Sequence, residues 1–235
     1  AAKALGVKVQ QVFVASTGVI GQPLSMDKIA AGIKEAALAL RADGGEDAAR
    51  AIMTTDTRKK EHAVVVDVDG VKVTIGGIAK GSGMIEPNMA TMLAFITTDC
   101  AIKDDLLQSA LKQAVDESFN MITVDGDTST NDTVIILANG LAQNPLIDKE
   151  DGAYLAFLAG LKEITTALAK DIARDGEGAT KFIEVNVKGA RDFREARQMA
   201  KAIANSNLVK TAVFGCDANW GRIICAAGYS GVDFV

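Results

Sequence analysis

Hydrophobic residues along the chain follow two patterns, short β-branched runs and longer segments with a helical period. Gln11–Ser16 is a run of the first kind and predicts a buried strand. Met26–Ala42 places its apolar residues on one helical face, and Ser25 is a suitable N-cap for that helix. Glu46–Ile52 predicts a second, shorter helix.

The clearest local signal is a β-hairpin. His62–Val68 and Val71–Ile75 are β-branched runs separated only by Asp69-Gly70, which predicts a two-residue type I′ turn. His62 stands near the start of this hairpin. We interpret it as a solvated residue at a strand end rather than as a catalytic group.

The rest of the chain predicts further alternation of strands and helices after an irregular glycine-rich loop over Gly76–Met89. The predicted elements are strand Thr91–Thr98, helix Lys103–Phe119, strand Thr133–Ala138, helix Asp151–Arg174, strand Phe182–Lys188, helix Asp192–Ser206, and strands Leu208–Phe214 and Arg222–Ala227. The last four form a small β-α-β-β unit. Because a tight hairpin interrupts the alternation, the predicted fold class is α/β with a mixed sheet (mixed α+β).

Composition excludes several classes of binding partner and of metal site. The chain has 235 residues, a net charge of −5 and 49% hydrophobic residues, as in an ordinary globular protein. It contains no block of like charges typical of a nucleic-acid surface, and its apolar runs are too short to span a bilayer. The single histidine excludes metal sites that need two. Three cysteines without C-x-x-C spacing favour reduced thiols and argue against zinc.

Two positions offer chemistry. The loop around Lys80 lacks the order of a P-loop, but its small residues allow Lys80 to present a cation to a ligand carboxylate. Thr91 follows Ala90 at the end of the same glycine-rich stretch. If the Ala90–Thr91 bond were cut, the new α-amine could act as the base for the Thr91 hydroxyl, with no histidine required. From these two residues alone, Thr91 is more simply the first residue of a strand.

Several longer motifs decide between these interpretations. In their order along the chain they resemble the ornithine acetyltransferase (ArgJ-type) family, also called glutamate N-acetyltransferase, over essentially the whole sequence. The motifs are Val14–Gly21, Met53–Thr57, Ala79–Gly83, Pro87–Leu93, Thr97–Asp99, Asp125–Asp132, Asp175–Lys181 and Gly215–Arg222.

The resemblance implies a precursor that cuts itself between Ala90 and Thr91 and then uses Thr91 as the nucleophile. The mature enzyme would carry an acetyl group from N2-acetyl-L-ornithine to L-glutamate through an acetyl-threonine intermediate. The matching Thr17 hydroxyl and Gly18 backbone N–H would form the oxyanion hole. The substrate-binding residues that the family implies are Thr54, Lys80, Thr91 and Glu177. No metal or cofactor is implied, although acetyl-CoA as a second acetyl donor stays open.

The family also implies an architecture and partners. We expect stacked β layers flanked by helices, a catalytic domain over 1–180 cut between 90 and 91, and a smaller C-terminal unit over 181–235. The two cleaved chains would stay together as a heterotetramer of two copies of each, in the cytoplasm or, in a eukaryote, the mitochondrial matrix. Nucleic-acid and membrane partners are not expected. Family members extend further at both ends than this sequence, so we expect the C-terminal unit to be truncated here.

Two alternatives stay open at this point. An N-terminal-threonine amidohydrolase or aminopeptidase would use the same Thr91 with water as the acceptor. A catalytically silent homologue would bind ornithine or glutamate and stay uncut.

Overall fold

A computed structural model describes residues 1–86 and 92–233. In chain order the helices are α1 (Ala2–Leu5), α2 (Met26–Leu38), α3 (Gly45–Ala51), α4 (Asp104–Asp116), α5 (Gly152–Arg174), α6 (Phe193–Asn205), α7 (Asn207–Phe214) and α8 (Trp220–Gly228), and the strands are β1 (Lys60–Val68), β2 (Val71–Lys80), β3 (Leu93–Thr98) and β4 (Thr133–Ala138). Short 3₁₀ turns cover Val9–Gln11 and Phe119–Met121. The mixed α/β class is confirmed.

The strands form a single sheet in the described residues, in the order β1-β2-β3-β4. β1, β2 and β3 are antiparallel neighbours, and β4 pairs with β3 in parallel. The predicted hairpin is confirmed, with positive φ at Asp69 (51°) and Gly70 (81°) as a type I′ turn requires. The stacked β layers that the family resemblance implies stay a prediction.

Strand β2 is longer than the sequence pattern predicts. The prediction of an irregular loop is wrong over Gly76–Lys80, which continues the strand and pairs with both neighbours. Gly77 faces the long helix α5, where an added Cβ would lie 3.1 Å from the Leu168 side chain. A glycine in this strand therefore permits close packing against a helix.

Helix α5 covers one face of the sheet and provides much of the core. Asp151 caps its first turn by accepting hydrogen bonds from the backbone N–H groups of Ala153 and Tyr154. Its buried face packs on β1 and β2, while α4 lies beside it against β4. The buried residues of α5 are Ala153, Tyr154, Phe157, Leu158, Gly160, Leu161, Ile164, Thr165, Leu168, Ala169 and Ile172. Residues on β1 alternate between the α5 face and solvent, so the sheet is covered from one side there.

The strand predicted over Gln11–Ser16 is wrong. After the 3₁₀ turn the chain runs on without joining the sheet, and Phe13 and Val14 are 66% and 82% exposed. A β-branched run becomes a strand only where a neighbouring strand completes its hydrogen bonds. This run has no such neighbour among the described residues.

The predicted C-terminal β-α-β-β unit is also wrong, except for its helix, which is α6. The residues predicted as strand Phe182–Lys188 are irregular, and those of the last two predicted strands form α7 and α8. A small separate core joins these helices through Ile203, Val209, Ala226 and Ala227.

Side-chain caps account for the error at α7 and α8. Ser206 accepts a hydrogen bond from the Val209 N–H (3.3 Å), and Asn219 accepts one from the Arg222 N–H (3.3 Å). These caps satisfy the first free N–H groups of each helix, and burial of one apolar face outweighs the β preference of the branched residues. Both cap residues are visible in the sequence, whereas the strand prediction rests only on the branched residues that follow them.

Candidate active site

The predicted substrate-binding residues lie where secondary-structure elements end. Thr54 lies between α3 and β1, Lys80 is the last residue of β2, and Glu177 follows the C-terminus of α5. Thr54 and Glu177 are exposed, whereas Lys80 is only 3% exposed. Lys80 is therefore not the solvated loop charge that the glycine-rich sequence around it permits.

A buried ion cluster, defined here as Asp56, Lys60 and Asp175, lies beneath these residues. The Lys60 ammonium is 2.5 Å from Asp56 Oδ1 and 2.6 Å from Asp175 Oδ2. Its side chain is completely buried, as is that of Asp56. One cation between two carboxylates neutralises one of the two negative charges and joins the start of β1 to the end of α5.

Asp56 also organises the backbone on both sides. Its carboxylate accepts hydrogen bonds from the N–H of Thr54 (3.2 Å) and of Gly81 (2.8 Å), the residue after Lys80. Burial by itself would raise the pKa of Asp56, but the Gly81 N–H and the Lys60 ammonium outweigh it and hold the pKa below its ordinary value. The backbones of Thr54 and of Gly81, the residue after Lys80, are thus bonded to the same carboxylate.

Glu177 joins this arrangement through Ser82. Its backbone N–H donates to the Ser82 carbonyl (2.8 Å), and the Ser82 hydroxyl lies 2.6 Å from the Thr55 hydroxyl. The Glu177 carboxylate lies against Gly83, where an added Cβ would be 2.7 Å from Cδ. The structure therefore brings Thr54, Lys80 and Glu177 to one end of the sheet.

The charge of Lys80 is only partly compensated. Burial lowers the pKa of its amine, Asp56 and Asp132 act in the opposite direction, and nearby Lys60 lowers the pKa further. A buried ammonium whose pKa is lowered by burial favours a ligand carboxylate at hydrogen-bond distance.

The predicted cleavage site, Ala90 and Thr91, lies outside the described residues. The chain is described again from Met92, and Leu93 pairs directly with Lys80 in the antiparallel ladder between β2 and β3. The cation is therefore placed opposite the second residue after Thr91 along the chain.

Sequence reasoning assigned no role to Asp132, which the structure places beside Met92. The Met92 N–H donates to Asp132 Oδ1 at 2.8 Å. Oδ2 is buried and receives no hydrogen bond from the described residues. Burial raises the pKa of this carboxyl group to about 7, against opposing effects of the Met92 N–H and Lys80. Asp132 belongs to the motif Asp125–Asp132, but the sequence alone does not distinguish it from the other acidic residues of that motif.

The predicted oxyanion-hole residues lie in a different segment from the predicted substrate-binding residues. Thr17 is half-buried and Gly18 is exposed, in the segment that does not enter the sheet. No hydrogen bond links either residue to Thr54, Lys80 or Glu177 in the described part of the chain. Their role stays a prediction.

His62 lies in β1, where its Nε2 is 2.7 Å from Asp171 Oδ2 of α5. This contact ties strand to helix and agrees with a structural role. Residues 1–86 and 92–233 contain no cluster of histidine, cysteine and acidic side chains suited to a metal ion. The same residues include no helix with the length and hydropathy needed to cross a bilayer.

Together, the sheet, its helical cover and the ion cluster at one sheet end define a mixed α/β protein with a polar candidate site. The ArgJ family model matches residues 1–235, and the chain belongs to the ArgJ family. It is 60% identical over 234 residues to "arginine biosynthesis bifunctional protein ArgJ" of Symbiobacterium thermophilum, covering 100% of this chain and 58% of that protein. The protein of the same name from Listeria monocytogenes is 55% identical over 233 residues, covering 99% of this chain and 58% of that protein.

A solved structure of an ArgJ protein is also similar to this chain. The crystal structure of arginine biosynthesis bifunctional protein ArgJ from Bacillus halodurans shares 55% sequence identity, with a TM-score of 0.60 over 62% of this chain and 68% of that one. The chain thus spans about 58% of the length of the curated relatives that it matches.

Proposed function

We propose that the protein is a self-processing acetyltransferase that moves an acetyl group from N2-acetyl-L-ornithine to L-glutamate. Membership of the ArgJ family supports this reaction class. The observation that carries the proposal is the position of Lys80, a buried cation paired across the ladder with Leu93 and so close in the fold to the chain that follows Thr91. Acetylornithine and glutamate both carry an α-carboxylate, which this ammonium suits.

The remaining substrate contacts follow from charge. Glu177 is an exposed carboxylate at the same end of the sheet, suited to an amino group of ornithine. Thr54 is attached through its backbone to Asp56 and offers a hydroxyl. The ion cluster fixes the backbone near these three residues before substrate arrives, so little conformational freedom is lost on binding.

In the proposed processing step, the Thr91 hydroxyl attacks the Ala90 carbonyl. The Ala90–Thr91 amide bond breaks as an ester forms between Ala90 and Thr91 Oγ, and the Thr91 nitrogen takes the hydroxyl proton and becomes a free α-amine. Water then hydrolyses the ester, which leaves a carboxylate on Ala90 and restores the Thr91 hydroxyl.

In the transfer step this amine takes the hydroxyl proton while Oγ attacks the acetyl carbonyl of acetylornithine. Ornithine leaves with the proton as its acetyl C–N bond breaks. The glutamate amine then attacks the acetyl-threonine ester, the bond between the acetyl carbon and Thr91 Oγ breaks, and a proton from the glutamate amine passes through the α-amine to Thr91 Oγ, which releases N-acetylglutamate. Thr17 and Gly18 are proposed to stabilise the oxyanion.

The proposal extends to organisation. Residues 1–180, cleaved between 90 and 91, would form the catalytic domain, and 181–235 a smaller unit. The two cleaved chains would remain together, with two copies of each in a heterotetramer. The reaction would take place in the cytoplasm, without a resident cofactor.

The test is intact-mass spectrometry of the protein expressed from its complete reading frame, beside two variants. Thr91→Ala removes the proposed nucleophile, and Thr97→Ala is the matched control because Thr97 is an exposed threonine on β3. We expect two chains, one beginning at Thr91, in the parent and in the control, and one uncut chain in Thr91→Ala. A folded parent that stays uncut would contradict the proposal and favour a silent binding protein.

Acetyl transfer is then measured with acetylornithine in the presence and absence of glutamate. We expect ornithine release to depend on glutamate after the first turnover. Equal release without glutamate would identify an amidohydrolase instead.

A further inference from the structure

A cavity of about 320 Å³ is lined by residues from the end of α5, from the segment that follows it and from α7. Three charged side chains line this cavity, those of Glu177, Lys181 and Lys210. Apolar side chains such as those of Val124 and Phe214 form other parts of its wall. Its volume is at the lower end of the range for small-ligand sites and suits a single amino acid.

The charged groups of this cavity lack counter-ions. None of the three forms an ion pair in the part of the chain that the structure describes. Lys210 is half-buried, and its ammonium donates a hydrogen bond to the Val124 carbonyl at 3.1 Å. An ammonium has three donors, and a neutral carbonyl does not compensate its charge. Lys210 can therefore also donate to a ligand carboxylate.

The proposed reaction places two opposite demands on the site. Both substrates carry an α-carboxylate, which Lys80 suits, but their side chains end in opposite charges. The side-chain ammonium of acetylornithine, once its α-amine is acetylated, is attracted by the Glu177 carboxylate. The side-chain carboxylate of the acceptor glutamate is repelled by that same group. Since the two substrates bind in turn, the acceptor needs a cation in the cavity that Glu177 lines.

We propose that Lys210 binds the γ-carboxylate of the acceptor glutamate and so determines the specificity of the second half-reaction. This inference rests on the proposed function. Lys210 is better suited than Lys181 because it is half-buried and oriented by its bond to Val124. Lys181 is exposed, so water and salt screen its charge. Removing the charge of Lys210 should therefore weaken binding of glutamate without weakening binding of acetylornithine.

The experiment uses the protein expressed from its complete reading frame, with acetylornithine as the donor and either glutamate or glutamine as the acceptor. The two acceptors have nearly the same shape and differ in the charge at the end of the side chain. Lys210→Gln removes the positive charge and keeps a hydrogen-bond donor, and Lys210→Met removes both. Lys170→Met is the matched control, because Lys170 is a half-buried lysine of α5 that pairs with Glu184 at 3.0 Å.

In the parent we expect kcat/KM for glutamate to exceed that for glutamine. Both Lys210 variants should reduce this preference by roughly 10- to 100-fold, the effect of losing a hydrogen bond to a charged group. Their KM for acetylornithine should stay at the parental value or fall. Lys170→Met should keep the parental preference and both parental KM values.

Either Lys210 variant decides the question if it folds. A parental preference for glutamate in that variant would overturn the inference while the proposed function stands. An equal rise of KM for glutamate, glutamine and acetylornithine would overturn it in favour of a structural role for Lys210. Equal kcat/KM for the two acceptors in the parent would also overturn it. A folded parent that neither cleaves itself nor transfers acetyl groups would remove the proposed function and this inference with it.

Discussion

The Lys60 ammonium lies 2.6 Å from the Asp175 carboxylate, although the two residues are 115 positions apart in the chain. Asp175 also accepts hydrogen bonds from the backbone N–H and the hydroxyl of Thr57. Burial would raise the pKa of Asp175, but the bonds from Lys60 and Thr57 outweigh it and lower that pKa. The pair fixes the end of α5, and therefore Glu177, relative to β1.

Lys60→Met tests how much this ion pair contributes to the stability of the fold. The substitution leaves the buried carboxylates of Asp56 and Asp175 without their cation, so we expect the free energy of unfolding to fall by about 3–5 kcal/mol. Urea unfolding at neutral pH measures it. Lys72→Met is the control because Lys72 pairs with Asp67 on the exposed surface, where an ion pair contributes about 0–1 kcal/mol. Equal losses in the two variants would contradict a special role for the cluster.

The raised pKa of Asp132 predicts an unusual dependence of stability on pH. Its carboxyl has a folded pKa of about 7 against an ordinary value of 3.8. Between these values the folded state holds a proton that the unfolded state has lost, so the contribution of Asp132 to stability falls as pH rises from about 4 to about 7. Since the group is only partly buried, we expect a fall of about 1–2 kcal/mol.

The measurement compares Thr91→Ala with Thr91→Ala/Asp132→Asn by urea unfolding at several pH values. Under the proposed function the first substitution prevents cleavage, so both proteins are compared as uncut chains. The difference between the two proteins should slope between pH 4 and 7 and level off above. A flat difference would contradict the raised pKa.

The sequence predicts the hairpin and the longer helices, but it mispredicts the segments whose structure depends on neighbours distant in the chain. The hairpin, α4 and α5 follow from turn chemistry and periodicity because their own residues determine them. The loop prediction is wrong over Gly76–Lys80 because glycine is typical of loops. Here Gly77 instead lets α5 pack closely against the sheet. Gln11–Ser16 shows the opposite error, since a strand-like run needs a partner that its own residues cannot specify.

The candidate site divides in the same way. Lys80, Thr54 and Glu177 come from family resemblance, and the structure adds what holds them. Asp56 and Asp175 lie inside motifs that the sequence already singles out, but their common partner Lys60 does not. An ion pair between residues so distant in the chain depends on topology, which one sequence does not reveal.

Gly160 provides a packing prediction. An added Cβ at this position in α5 would lie 2.5 Å from Val66 Cγ1 and 3.2 Å from Ile75 Cδ1. Gly160→Ala should therefore reduce stability by about 1–3 kcal/mol, because the helix must move away from the sheet. Gly32→Ala in α2 is the control, since no atom lies within 4 Å of its added Cβ. It should be neutral or stabilising by up to about 1 kcal/mol. Thermal unfolding distinguishes the two, and a stabilised Gly160→Ala would show that the close approach is absent.

Lys80→Met separates binding from folding at the candidate site. Burial disfavours the charged amine, so replacing it with an apolar side chain of similar length should leave the free energy of unfolding unchanged or raise it. If Lys80 holds the substrate carboxylate, KM for acetylornithine should rise by roughly 10- to 100-fold, the effect of losing a hydrogen bond to a charged group. Steady-state kinetics and urea unfolding on the same preparation provide both values, with Lys72→Met as the exposed-lysine control. A stable Lys80→Met protein with a parental KM would place the carboxylate elsewhere, and a destabilised one would show that this lysine serves the fold.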